Sequence, residues 1–117
     1  MFFAEALMLL PARRIMLMIA SLTAFAAQAQ VTPEQMQLLG TNCLQCHAMP
    51  HTGAPLLGDT KAWQARLQKG REQLLINSIE GIGGMPPMGY CSSCTKEDMQ
   101  ALIDFMLGDA GEDSDAQ

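Results

Sequence analysis

Cys43-Leu44-Gln45-Cys46-His47 constrains this chain more than any other stretch. Two thiols one short turn apart, with an imidazole directly after them, form the spacing that tethers a porphyrin. Each sulfur forms a thioether with a vinyl group of the same macrocycle, and the imidazole is left beneath the iron. The motif therefore predicts one covalently attached haem c, with Cys43 and Cys46 as its anchors and His47 as an iron ligand. In a chain of 117 residues such a group has to be much of the core, because a domain this small buries little apolar surface unaided.

The N-terminal residues do not read as part of that domain. Arg13 and Arg14 precede an apolar run, Ile15 to Ala27, that ends in Ala27-Gln28-Ala29. A basic flank, an apolar stretch and a small-residue site make a secretory signal peptide, so 1–29 is expected to be cleaved after Ala29. As a helix the apolar run would span about 20 Å, short of the roughly 30 Å of a bilayer core. Membrane attachment is then expected only through an uncleaved leader acting as an anchor, or through a partner complex. Export predicts a periplasmic protein, with 30–108 as the folded domain and 109–117 as an acidic, disordered tail.

From Gln30 onward five basic residues face eleven acidic ones, a balance of −6. This sign disfavours nucleic acid and anionic lipid as partners. It suits a redox partner protein with a basic docking surface.

The helical signals are placed around the motif. Thr32 can cap a helix with Pro33 in its first turn and Gln35 completing a capping box. Met36, Leu39, Cys43 and Leu44 follow at helical spacing, so this helix should present Cys43–His47 at its end. Gly40 within it predicts close approach of another helix. Ala48 to Gly58 is a loop expected to wrap one edge of the haem. Asp59 or Thr60 then caps a helix over Lys61–Lys69 that ends at Gly70. A third helix, Glu72–Glu80, carries Leu74, Leu75 and Ile79 on one side and stops at Gly81. Thr95 and Asp98 frame the last helix, whose apolar face is Met99, Leu102, Ile103, Phe105 and Met106 before Gly108. No stretch alternates as a strand. The fold class is all-α, about four helices around one haem.

Ile82 to Tyr90 is too rich in glycine and proline to be helical. It matters because iron bound by His47 has a sixth position, which electron-transfer cytochromes fill with methionine. Met36, Met99 and Met106 sit at core spacing, and Met49 is too near His47 to cross the ring. Met85 and Met88 lie in the loop, and Pro86 and Pro87 restrict the backbone beside Met85. Met85 is the favoured axial ligand, with Met88 and His51 as the other candidates.

In Cys43-x-x-Cys46-His47, Gly53-Ala54-Pro55-x-Leu57-Gly58-Asp59, Trp63, Arg66, Gly81-x-Gly83-x-Met85-Pro86-Pro87 and Cys91-x-x-Cys94 the sequence resembles the cytochrome c5 group of class I c-type cytochromes. The resemblance runs from about Thr32 to Met106. It implies Met85 as the distal ligand and a Pro55 carbonyl that accepts the Nδ1–H of His47. It also implies a Cys91–Cys94 disulfide, which an oxidising compartment favours. Trp63 would lie near a haem propionate, or serve as a plain core tryptophan.

The function expected is electron transfer by one haem cycling between Fe(III) and Fe(II), in a periplasmic or membrane-associated respiratory chain, rather than enzymatic catalysis. The alternatives are a cytochrome subunit or haem sensor of an oxidoreductase complex. More remotely, Cys43, Cys46, Cys91 and Cys94 could form a structural zinc module.

Overall fold

The computed structural model describes residues 30–115; the expected signal peptide lies outside the described residues. Along the chain run α1 (Pro33–Leu38), a π-helical turn (Leu39–Cys43), α2 (Leu44–His47), α3 (Thr60–Leu67), α4 (Arg71–Glu80), a 3-10 turn (Pro87–Tyr90), α5 (Lys96–Leu107) and α6 (Asp109–Asp115). Among the described residues there is no strand, only an isolated antiparallel bridge between Ile82 and Met85. The all-α expectation holds. The first expected helix is the continuous run of α1, the π turn and α2.

Local sequence accounts for where the helices start. The Thr32 side chain accepts the Gln35 N–H at 3.2 Å, and the Gln35 side chain accepts the Thr32 N–H at 3.0 Å. Asp59 caps α3 by accepting the Ala62 N–H at 3.0 Å. Thr95 caps α5 through the Asp98 N–H at 3.1 Å, and the Asp98 carboxylate reciprocates on the Thr95 N–H at 2.9 Å. Each such cap contributes about 1 kcal/mol by satisfying N–H groups that the first turn leaves unpaired. Asp98 also accepts from the Gln35 amide at 3.0 Å, which ties the start of α5 to α1.

The core is Leu39 and Cys43 from the first run, Trp63 from α3, Leu74 and Leu75 from α4, and Met99, Leu102, Ile103, Met106 and Leu107 from α5, closed by Ala110 of α6. Leu39, Cys43 and His47 are all buried although each is four residues from the next. A four-residue step in an α-helix overshoots a full turn by about 40°. The wider π turn undershoots, so the two offsets cancel and the three side chains share one face.

Four sequence expectations are corrected. No atom lies within 4 Å of the place a Gly40 Cβ would take, so Gly40 marks no close helix approach. Met36 is 41% exposed and is not core filler. Phe105 is equally open at 41%, because its position on α5 is rotated about 60° beyond the edge of the face set by Leu102 and Met106. The segment expected to be a disordered tail from 109 is helical over Asp109–Asp115. Its order has a cause: Ala110 is fully buried, α6 packs on α3, and Arg71 Nη2 donates to the Gly111 carbonyl at 2.6 Å. Arg71 also pairs with Asp104 at 2.5 Å.

A candidate haem-attachment site

Cys43 ends the π turn and Cys46 and His47 close α2, so all three motif side chains leave consecutive turns of one helix. Cys43 and Cys46 are free thiols. Cys43 is buried, which pushes its thiol up and keeps it neutral, while Cys46 is exposed. His47 is only 7% exposed. Its Nδ1–H donates to the Pro55 carbonyl at 2.7 Å, as the sequence resemblance implied. That bond assigns the proton to Nδ1 and leaves the Nε2 lone pair available. The loop is tied again where Leu57 N–H donates to the His47 carbonyl at 2.8 Å.

Trp63 belongs to the same assembly. It is 5% exposed, its ring lies 5.8 Å from that of His47 with the planes 16° apart, and its Nε1–H donates to the Leu56 carbonyl at 2.8 Å. An indole has a single donor. That donor is given to Leu56, and the ring stands beside the histidine.

The Met85 segment is held from both ends. Ile82 and Met85 exchange backbone hydrogen bonds, Ile82 N–H to Met85 O at 3.0 Å and Met85 N–H to Ile82 O at 2.9 Å. Gly81 enters this turn at φ +87°, and a Cβ there would meet Met85 O, Pro87 N and Pro87 Cδ at 3.0 Å. Met85 lines an open depression of about 470 Å³ walled by Glu80–Pro87 and Tyr90. Its methyl lies over Gly89, at 3.8 Å from where a Cβ would stand. Met88 differs: it packs against the core cluster. His51 is exposed in a turn at φ +68°.

Three successive left-handed residues, Met88 at φ +57°, Gly89 at +58° and Tyr90 at +63°, end the segment. For the two non-glycines this conformation costs about 1–2 kcal/mol each. Backbone bonds from Gly89 N–H to Pro86 O and from Cys91 N–H to Met88 O, both 3.0 Å, hold it. The Cys91–Cys94 disulfide follows, with Cα atoms 5.4 Å apart. Closing so short a loop contributes about 2 kcal/mol in the chain-entropy model. The 3-10 turn packs on both the π turn and α4, which brings the Met85 segment up to the helix that carries the thiols.

These residues fit a covalent haem. Two free thiols and an imidazole with one free nitrogen stand together, and a thioether-bearing loop abuts their helix. The four-cysteine zinc module is excluded, since Cys91 and Cys94 are bonded to each other and cannot supply thiolates. Sequence reasoning missed the contact between Trp63 and His47; only the Gly-Asp turn that begins α3 hinted at it.

Comparison with known proteins gives concordant matches. Residues 30–106 match the family model described as cytochrome c oxidase, cbb3-type, subunit III. The chain is 37% identical over 73 residues to cytochrome c5 of Ectopseudomonas mendocina, covering 61% of this chain and 84% of that protein. To cytochrome c5 of Azotobacter vinelandii it is 37% identical over 68 residues, 56% of this chain and 82% of that protein. To cytochrome c-555 of Chlorobaculum thiosulfatiphilum it is 32% identical over 71 residues, 57% and 83% of the two. Among solved structures, a chain from the crystal structure of an electron transfer complex of nitrite reductase with cytochrome c superposes with a TM-score of 0.59 at 34% identity, over 70% of this chain and 99% of that one.

Proposed function

This chain belongs to the class I c-type cytochromes, in the cytochrome c5 group, and we propose that His47 and Met85 are the two axial ligands of its iron. It is a monohaem electron-carrying cytochrome. One observation supports the ligand reading above the rest: His47 is buried with Nδ1–H on the Pro55 carbonyl and Nε2 free, directly after two free thiols.

The haem, when bound, supplies a one-electron Fe(III)/Fe(II) couple. The chain's residues do the rest. Cys43 and Cys46 anchor it, so the cofactor is not lost between partners. His47 offers Nε2, and the Pro55 carbonyl fixes the ring and makes it a more basic ligand. Met85 offers a soft, neutral thioether that favours the ferrous state and raises the potential. With His47 and Met85 both holding the iron, the haem would offer no place for a substrate, which is the ground for reading a carrier rather than an enzyme.

We assign the carrier to the periplasm, on the strength of the leader signals in 1–29. Among the described residues no helix is long and apolar enough to cross a membrane. Its partner is a redox protein, as nitrite reductase is for the cytochrome of the solved complex. With −6 across Gln30–Gln117, a basic surface on that partner is the electrostatic complement.

The exported protein is expected to be red, with reduced α and Soret bands that persist through acidified organic extraction. Replacing Cys43 and Cys46 together by alanine should leave no extraction-resistant colour. A colourless wild-type product would defeat the reading.

A further inference from the structure

We propose that Trp63 is the positioning residue of the axial histidine, setting the plane of the His47 imidazole. The inference rests on the assignment of His47 as an iron ligand. Three consecutive backbone positions carry it. The Pro55 carbonyl accepts the His47 Nδ1–H at 2.7 Å, the Leu56 carbonyl accepts the Trp63 Nε1–H at 2.8 Å, and the Leu57 N–H donates to the His47 carbonyl at 2.8 Å. The loop is thus tied to the histidine on both sides and to the tryptophan between.

A single hydrogen bond at Nδ1 tolerates a tilt of the ring by roughly 30° without breaking. The indole biases that freedom. It lies nearly parallel to the imidazole, 5.8 Å between centroids and 16° between planes, and an offset stack at this spacing favours keeping the two planes aligned. The indole itself is fixed at its far end, because the Leu56 carbonyl also accepts the Asp59 N–H at 3.0 Å. Asp59 in turn caps α3 and accepts the Trp63 N–H at 3.0 Å. One carbonyl with two lone pairs therefore locks the start of α3 and the indole together. A tryptophan serving only as apolar filler would require neither the shared carbonyl nor a parallel approach to a polar ring.

The orientation of an axial imidazole about its bond to iron decides how ferric spin density is distributed around the porphyrin. The order of the paramagnetically shifted haem methyl resonances reports that orientation together with that of the Met85 thioether, which these variants leave in place. Covalent haem is first established by pyridine haemochrome absorption, and ligation by His47 by ring-current-shifted imidazole proton resonances in the ferrous protein. Failure of the ligand reading therefore shows as the absence of those resonances and is separate from failure of this proposal. In pigmented protein, Trp63→Leu should alter the methyl order and shift the midpoint potential. Trp63→Phe, which restores a flat face, should return both toward native values. Leu67→Ala, a half-buried change on the same helix, should leave them native. A native methyl order in folded Trp63→Leu, or no recovery in Trp63→Phe, would overturn the proposal. Should Trp63→Leu fail to fold, the native ferrous protein decides: cross-relaxation between indole and imidazole protons supports the stack, and its absence refutes it.

Discussion

At the residue scale, the site depends on a few atoms whose alternatives are closed off. The Pro55 carbonyl occupies Nδ1 of His47, so Nε2 is the nitrogen left for the proposed iron. Gly81 is equally constrained, since its φ of +87° and three backbone or proline atoms at 3.0 Å leave no space for a side chain. Gly81→Ala is expected to destabilise the fold by about 1–3 kcal/mol and to loosen the turn that carries Met85; denaturant melts with absorption scans of the ferric protein check both. Met88 packs on the core, so Met88→Ala should cost about 1–2 kcal/mol of stability while the haem spectrum stays native. The thiols, His47 and the Met85 loop were legible in the sequence because their chemistry fixes residue type and spacing. The Pro55 carbonyl came only from the family resemblance, since a backbone acceptor fixes no residue type. The role of Trp63 was not. A lone tryptophan carries no positional code, and its donor could go to a propionate or a carbonyl until the loop at Leu56 was placed.

At the scale of elements, the starts of α1, α3 and α5 follow from side-chain caps, which depend on contacts three residues apart and so can be found in sequence. The Asp98 cap carries a testable pH dependence. The Thr95 backbone N–H, the Gln35 amide and the Thr95 hydroxyl all hold its carboxyl below the usual range. A pKa depressed on folding gives stability that is present above the unfolded value of about 3.9 and is lost as pH falls through the folded one. Asp98→Asn should therefore lower stability at pH 7, where the charged cap is fully engaged, converge on the native protein in acid, and so flatten the acid limb of stability against pH. An unaltered acid limb in thermal melts would contradict the cap's role. Helix interiors were read less well, for geometric reasons. The π turn at Leu39–Cys43 shifts the phase of everything after it, and no residue in Leu-Gly-Thr-Asn-Cys announces it. Met36 falls outside the buried face accordingly. The order of α6 was hidden because acidic composition suggests disorder, whereas Ala110 and the Arg71 contact to Gly111 supply the packing.

At the scale of the whole molecule, charge and cofactor are segregated along the chain. No Asp, Glu, Lys or Arg occurs from Gln35 to Gly58 or from Gly81 to Thr95, the two stretches that contain the candidate ligands. The net charge of −6 is carried by the remaining surface. Small redox reagents should sense it at long range. Oxidation by an anionic iron complex should accelerate as salt rises, and oxidation by a cationic cobalt complex should slow; stopped-flow traces at several ionic strengths would show both slopes, and parallel slopes would contradict the charge argument. The central claim remains the closed His47/Met85 pair, and proton NMR of the ferrous protein tests it most directly. A methionine methyl bound to ferrous haem iron is displaced far upfield by the ring current. That resonance is expected in the native protein and in Met88→Ala, and should vanish in Met85→Ala. Its persistence in Met85→Ala would contradict the assignment.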